Sequence, residues 1–450
     1  MFTSSVRWLG SQTARGRAAI VIVAEYTIPG IHVREHVMTV PLDWNNPQDG
    51  RTIQLFAREL VDPTKRNEQL PLLAFLQGGP GGKSPRPTNQ DGFIGPALKR
   101  FRVILMDQRG TGRSTRVQGR TMQQFATASK GAQYLLHFRA DSIVNDLEAL
   151  REKEFGAKQW STLGQSFGGF ITLTYLSKAP QSLVACYVTG GLASIRPSAE
   201  EVYRRTYPRV AAKNAEFYTR YPHARERIGK VADLLDATEV RLPDGDRLTT
   251  QRLQLLGIDF GMKPGYERVH WLFDEAWHPE HDDALSEFFL ANIMTKTNYD
   301  DNPLFMVLQE SIYGQGAGAT NWAAHRERPN HPEFATEHRP LMFTGEMMFP
   351  WMLDEIRSLR PFKPAAEALA QVETYSELYN PTRLASNEVP VSAVVYHDDM
   401  YVDAGLSLET AAHVGNCHAW VTNEFEHDGI QNSDVVEKLF AYVDDRNGRL

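Results

Sequence analysis

The hexapeptide Gly164-Gln165-Ser166-Phe167-Gly168-Gly169 constrains this chain more than any other stretch. It lies between an apolar run that predicts a strand, Trp160 to Leu163, and one that predicts a helix, Phe170 to Leu176. A G-x-S-x-G pattern in that setting is a nucleophile elbow. The chain reverses so sharply there that the serine backbone is strained and its neighbours must be small. Gly164, Gly168 and Gly169 meet that demand, because glycine lets backbones approach closely and turn at little steric cost. The serine hydroxyl is then expected at the tip of a sheet, with a helix N-terminus beneath it.

The flanking sequence predicts the sheet. Ile31 to Leu60 reads as two or three strands broken by a turn at Asn45-Asn46-Pro47-Gln48-Asp49-Gly50. Leu70 to Leu76 and Arg102 to Met106 are continuous apolar runs of the kind buried on both faces. Val144, Leu147 and Leu150 recur at helical spacing. Trp160 to Leu163 and Val184 to Val188 continue the strand series. Strand and helix in alternation mean a mostly parallel central sheet with helices on both faces, an α/β class.

From about Pro197 to Pro381 the texture changes. Helical pieces such as Glu200 to Ala215, Ala224 to Leu235 and Ala284 to Ile293 dominate, and strand signals are few. Pro390 to Tyr396 and Cys417 to Val421 then read as strands, and Ser433 to Val443 as a closing helix. The expected organisation is a core over 1–196 and 384–450 with a large helical cap inserted at 197–383. A chain of 450 residues is long enough for both.

Composition excludes several classes. A net charge of −7 without a basic stripe gives no support to a nucleic-acid partner. No apolar run approaches the ~18 residues of a membrane span. Arg7, Arg15 and Arg17 before Ala18 to Ala24 imitate a short signal peptide, but the run is short and lacks a small-x-small cleavage site. A poorly ordered N-terminal extension on a cytoplasmic protein is the expectation. The two cysteines, Cys186 and Cys417, lie in apolar runs and read as buried reduced thiols. No Cys/His cluster has zinc spacing, so neither metal nor cofactor is expected.

An elbow at the end of a central strand resembles the α/β-hydrolase fold, whose chain order is Ser, then Asp or Glu, then His. After the strand ending at Tyr396 comes His397-Asp398-Asp399-Met400-Tyr401-Val402-Asp403. After the last strand comes Thr422-Asn423-Glu424-Phe425-Glu426-His427-Asp428-Gly429. Ser166 is therefore the expected nucleophile, His427 the general base and then acid, and Asp399 the group that orients the imidazole. Asp398 and Asp403 compete with Asp399, while His397 and His418 read as structural. Oxyanion donors are expected from the amide of Phe167 and from the loop Gln77-Gly78-Gly79-Pro80-Gly81-Gly82, with Gly79 as the second donor.

Three motifs taken together are similar to the signature set of the prolyl aminopeptidases (proline iminopeptidases). They are Gln77 to Gly82, Asp107-Gln108-Arg109-Gly110-Thr111-Gly112-Arg113-Ser114, and the elbow itself. The family's loop begins with histidine where Gln77 stands here, and the donor glycines are kept. The segments around Asp399 and His427 resemble the larger branch of the family. In it the Asp107-to-Gly110 motif is mainly structural: an acid and an arginine bracketing a turn hold the loop beside the site.

The resemblance implies a substrate with a free N-terminal proline, its secondary ammonium bound by glutamates of the cap. Leu308-Gln309-Glu310-Ser311-Ile312-Tyr313 and Thr344-Gly345-Glu346-Met347-Met348-Phe349 carry the candidate ligands, Glu310 and Glu346. An acid among apolar residues is unusual unless paired. A salt bridge to a cap arginine is the alternative for either, and Glu424 and Glu426 are weaker candidates. An esterase, an amidase or another small-peptide peptidase on the same scaffold is the rival enzyme, and an inactive binding scaffold the rival class. Serine at the elbow argues against an epoxide hydrolase or dehalogenase, which would carry aspartate there.

Overall fold

The computed structural model describes residues 7–8, 21–196 and 198–446. Ten strands form the central sheet: β1 (Arg7–Trp8), β2 (Val21–Ile28), β3 (Ile31–Pro41), β4 (Thr52–Val61), β5 (Leu72–Leu76), β6 (Arg102–Asp107), β7 (Trp160–Gln165), β8 (Leu183–Thr189), β9 (Val391–Tyr396) and β10 (Cys417–Thr422). Their order is β1-β2-β3-β4-β6-β5-β7-β8-β9-β10. The strands up to β4 pair antiparallel, and β4 pairs antiparallel with β6. From β6 through β5 to β10 every pairing is parallel.

Alternation along each strand divides the interior into two layers. Leu72, Ala74 and Leu76 of β5 face one layer, with helices α1 (Ala140–Glu154) and α2 (Phe167–Lys178). Leu73 and Phe75 face the other, with the helix Ile94–Arg100 and the closing helix α6 (Ser433–Arg446). α2 is buried along nearly its whole length, which matches a sequence apolar on all sides.

Between β8 and β9 the chain leaves the sheet. This stretch is mainly helical, including α3 (Ala199–Arg220), α4 (Pro303–Leu308) and α5 (Ala323–Glu327). Three two-stranded ribbons join the helices, at Val240–Arg241 with Arg247–Leu248, Trp277–His278 with His281–Leu285, and Gly316–Ala317 with Thr374–Tyr375. Side chains of this region continue the α1/α2 layer as one apolar cluster.

Two expectations are corrected. Val21 to Ala24, read as part of a poorly ordered extension, form the start of β2 and pair with β3; residues 1–6 and 9–20 lie outside the described residues. The helix expected from Ala284 starts at Glu287, because Ser286 caps it by accepting from the Phe289 amide, and His281–Leu285 is a ribbon strand. No helix among the described residues is long and apolar enough to cross a membrane.

Candidate active site

The site begins at the end of β7. Ser166 has φ 55° and ψ −122°, a left-handed conformation rare for a residue with a Cβ. Neighbouring contacts hold it there: the Ser166 amide donates to Thr189 O at 2.9 Å, and the Gly169 amide to Ser166 O at 2.7 Å. The glycines are sterically required. A Cβ on Gly168 would lie 1.9 Å from Leu76 O, and one on Gly164 would lie 2.4 Å from Gly168 O. Phe167 is the first residue of α2, where a helix leaves its amide without an intrahelical acceptor.

The expected acid and base, Asp399 and His427, lie in the segments after β9 and β10. Asp399 follows β9 and is almost fully buried. Its Oδ1 accepts from the amides of Tyr401 at 2.8 Å and Val402 at 3.0 Å, which leaves Oδ2 aimed at His427 Nδ1, 2.6 Å away. That contact makes Nδ1 the proton-bearing nitrogen and leaves Nε2 as the acceptor. Burial alone would push the His427 pKa down; the Asp399 carboxylate outweighs it and raises the pKa, with help from Glu346 and Asp428. The His427 amide donates to Gly261 O of the cap at 3.0 Å.

Two consecutive glycines after β8 lie against both partners. A Cβ on Gly190 would be 3.1 Å from His427 Nδ1, and one on Gly191 would be 2.4 Å from Ser166 O. Of the competing aspartates, Asp398 pairs with the exposed His397, and Asp403 accepts from the Leu406 amide as a helix cap. His418 stacks on Tyr442. Both cysteines are free thiols, pushed up to about 12 by burial.

The loop after β5 closes over the serine. A Cβ on Gly78 would be 3.0 Å from Ser166 Cβ, and Gly79 itself has φ 130°. The motif after β6 pins this loop. Gln108 Nε2 donates to Gln77 O at 2.8 Å. Asp107 accepts from the Ser84 amide and hydroxyl and from both terminal nitrogens of Arg86. Burial would raise the Asp107 pKa, but these donors win and lower it. Arg109 is buried against Asp146 through two hydrogen bonds. Gln108 was not singled out from the sequence; its place inside the motif is the signal that could have found it.

Glu346 and Glu310 lie on the cap side. Glu346 is half-buried and densely surrounded by protein. Burial pushes its pKa up to about 8; His427 opposes that rise, Asp399 adds to it, and Gln309 opposes it weakly. The Gln309 carboxamide lies close by, but its geometry falls short of a hydrogen bond, and both of its amide atoms are buried without partners. Glu310 is tied down. Its oxygens accept from the Ala323 amide at 2.9 Å and the Ala324 amide at 3.0 Å, capping α5. Burial still pushes its pKa up to about 7, against the pull of those amides. Tyr203 and Tyr313 feel the charge of both acids, and burial pushes their phenols far up. Neither acid has a salt bridge to an arginine among the described contacts. Glu426 instead pairs with Lys213 at 2.6 Å, and Glu424 is exposed.

Comparison with known proteins places these features in context. A family model described as alpha/beta hydrolase fold matches residues 71–236. A proline iminopeptidase of Aeromonas sobria is 46% identical over 417 residues, covering 92% of this chain and 97% of its own length. One from Aspergillus aculeatus is 33% identical over 424 residues, 90% of this chain and 92% of that protein. One from Xanthomonas citri is 28% identical over 240 residues, 53% of this chain and 67% of its own.

Proposed function

Because this chain belongs to the proline iminopeptidase family of the α/β-hydrolase superfamily, we propose that Ser166, His427 and Asp399 are the triad with which it releases N-terminal proline from peptides. It is a prolyl aminopeptidase. Ser166 Oγ attacks the carbonyl carbon of the first residue while His427 Nε2 accepts the hydroxyl proton. Asp399 holds the imidazole in the required tautomer and stabilises its charge. The Phe167 and Gly79 amides receive the developing oxyanion. His427 then gives its proton to the departing amine, and water, activated by the same histidine, frees proline from Ser166.

The amine sits with Glu346 and Glu310. A desolvated ammonium needs carboxylate partners, and charge at the closed end of a pocket restricts cleavage to the chain terminus. Glu310 keeps a lone pair on each oxygen after bonding α5, so in its ionised form it adds field to the pocket. Residues 197–383 are the cap that carries both acids, over a core of 1–196 and 384–450. A cytoplasmic setting is part of the proposal, supported by two cysteines that are not bridged.

The observation that carries the reading is the buried 2.6 Å contact of His427 with Asp399, on a histidine that lies against Gly190, whose neighbour Gly191 lies against Ser166 O. Ser166→Ala is expected to abolish hydrolysis of L-proline p-nitroanilide and labelling by a fluorophosphonate, with the circular dichroism of the fold unchanged. Turnover that survives would refute the assignment. A panel of aminoacyl naphthylamides separates proline release from broader aminopeptidase or esterase activity.

A further inference from the structure

The loop bearing Gly79 touches the cap as closely as it touches the serine. A Cβ on Gly81 would lie 2.5 Å from Leu304 Cβ and 2.7 Å from Asn302 Oδ1. One on Gly110, in the motif that pins the loop, would lie 2.6 Å from Leu304 Cδ1. Lys83 Nζ pairs with Asp301 Oδ2 at 2.5 Å. Asn302 Nδ2 reaches Pro80 O at 3.5 Å while its Oδ1 caps α4 by accepting from the Phe305 amide at 3.1 Å. The N-terminal end of α4 is thus wedged into the glycine loop.

The other end of α4 leads straight into Gln309 and Glu310. Six helical residues span only about 9 Å, at 1.5 Å each, too short to bend appreciably. Leu304, Met306 and Leu308 are all buried, so the helix is gripped along its length. Gln309 is fully buried with neither amide atom partnered, beside Glu346. A buried amide in that state gains from a polar ligand, because an unmade hydrogen bond costs more than a made one returns. At the opposite end, Gly79 and Gly81 between the pinned ends of the loop both have positive φ, conformations glycine adopts at little cost.

We propose that α4 is a strut that couples the amine pocket to the oxyanion loop, with Leu304 as the positioning residue at the contact. An ammonium held by Glu346 and Gln309 fixes the C-terminal end of the strut. The N-terminal end then holds Gly79 to Gly82 where the oxyanion forms. The proposal rests on the amine-pocket reading above. It adds that the charge of the first residue is expressed in the chemical step as well as in binding, since oxyanion stabilisation acts on the transition state.

The test uses two substrates: L-proline p-nitroanilide, and p-nitrophenyl cyclopentanecarboxylate, which keeps a five-membered ring and lacks the amine. Leu304→Ala is expected to lower kcat on the proline substrate at least about tenfold with KM within about twofold, and to change the ester kcat by less than about threefold. Leu304→Met, which conserves volume, restores most of the loss. An equal fall on both substrates, a loss confined to KM, or no loss overturns the strut. Should Leu304→Ala fail to fold, Asn302→Asp keeps the capping oxygen, removes the N–H toward Pro80 O, and is read by the same ratio. A wild-type enzyme that turns over the ester and not the proline amide would instead sink the function proposed above, so the two failures are distinct.

Discussion

At the scale of single residues, the site is governed by groups whose protonation is set by burial and by neighbouring charge. Glu346 is held neutral up to about pH 8, and the raised pKa of His427 keeps its base form scarce in acid. In the proposed roles both must lose a proton, one to bind an ammonium and the other to accept the serine proton, and because their charges interact the two titrate as a coupled pair. The kcat/KM for L-proline p-nitroanilide is therefore expected to climb with pH through about 8. Glu346→Gln should reduce kcat/KM by more than about tenfold and make the remaining climb shallower; an unchanged profile would remove Glu346 from the amine site. Stability moves the opposite way. Between the ordinary value of 4.5 and about 8 the folded Glu346 binds a proton that the unfolded chain has released, so stability falls as pH rises across that window. The Gln variant is accordingly expected to melt higher than wild type at pH 9 and to converge on it near pH 4.

Side-chain chemistry was legible in the sequence where local pattern determines it. The elbow glycines are demanded by contacts within one turn and with the ends of the two strands that flank β7. Asp398, Asp399 and Asp403 are a different matter. Their separate environments depend on which backbone amides face them, and those depend on how the loop after β9 folds. Likewise an acid among apolar residues marks Glu310, but the Ala323 and Ala324 amides that occupy it arrive from 13 and 14 residues downstream.

At the scale of elements, close approach decides what each segment tolerates. Gly168→Ala would drive a Cβ into Leu76 O of the adjacent strand, which is backbone and cannot swing away. That variant is expected to lose at least about a hundredfold in kcat or to accumulate as insoluble protein, in line with overpacking penalties of 1–3 kcal/mol or more. Gly229→Ala is the contrasting case. Its Cβ would meet only Arg339 Cδ at 3.9 Å, in the helix Ala224–Ala237, and it should gain about 0.5–1 kcal/mol in urea unfolding with activity unchanged. Apolar runs announced the buried parallel strands because both faces are covered. β2 escaped notice because its burial is patchy, with only Ala24 fully covered, and its apolar start resembles a targeting segment.

At the scale of the whole molecule, cap and core are welded by buried polar contacts that no local pattern encodes. Arg139, just before α1, is almost fully buried and donates to Ser311 O at 3.2 Å, to Ser376 Oγ at 2.9 Å and to Gly314 O. It thereby clamps the turn after Glu310 from the core side. Arg139→Met would strand the buried Gly314 carbonyl, while Ser311 O keeps the Gly314 amide, so the expected loss is about 1–3 kcal/mol, the cost of one unsatisfied group. Urea unfolding measures it; a cost below about 0.5 kcal/mol would mean the weld lies elsewhere. Helical texture between β8 and β9 was legible as such, but not the apolar layer this stretch shares with α1 and α2.

The capping of α5 by Glu310 has a consequence for anyone redesigning selectivity. An exchange at 310 to a residue without a side-chain acceptor frees the Ala323 and Ala324 amides and weakens a helix start along with any change in which first residue is accepted. Glu346 holds no helix start among the described residues, so on the proposed amine site it is the adjustable dial, and directed libraries aimed at new aminoacyl preferences belong there and at Gln309.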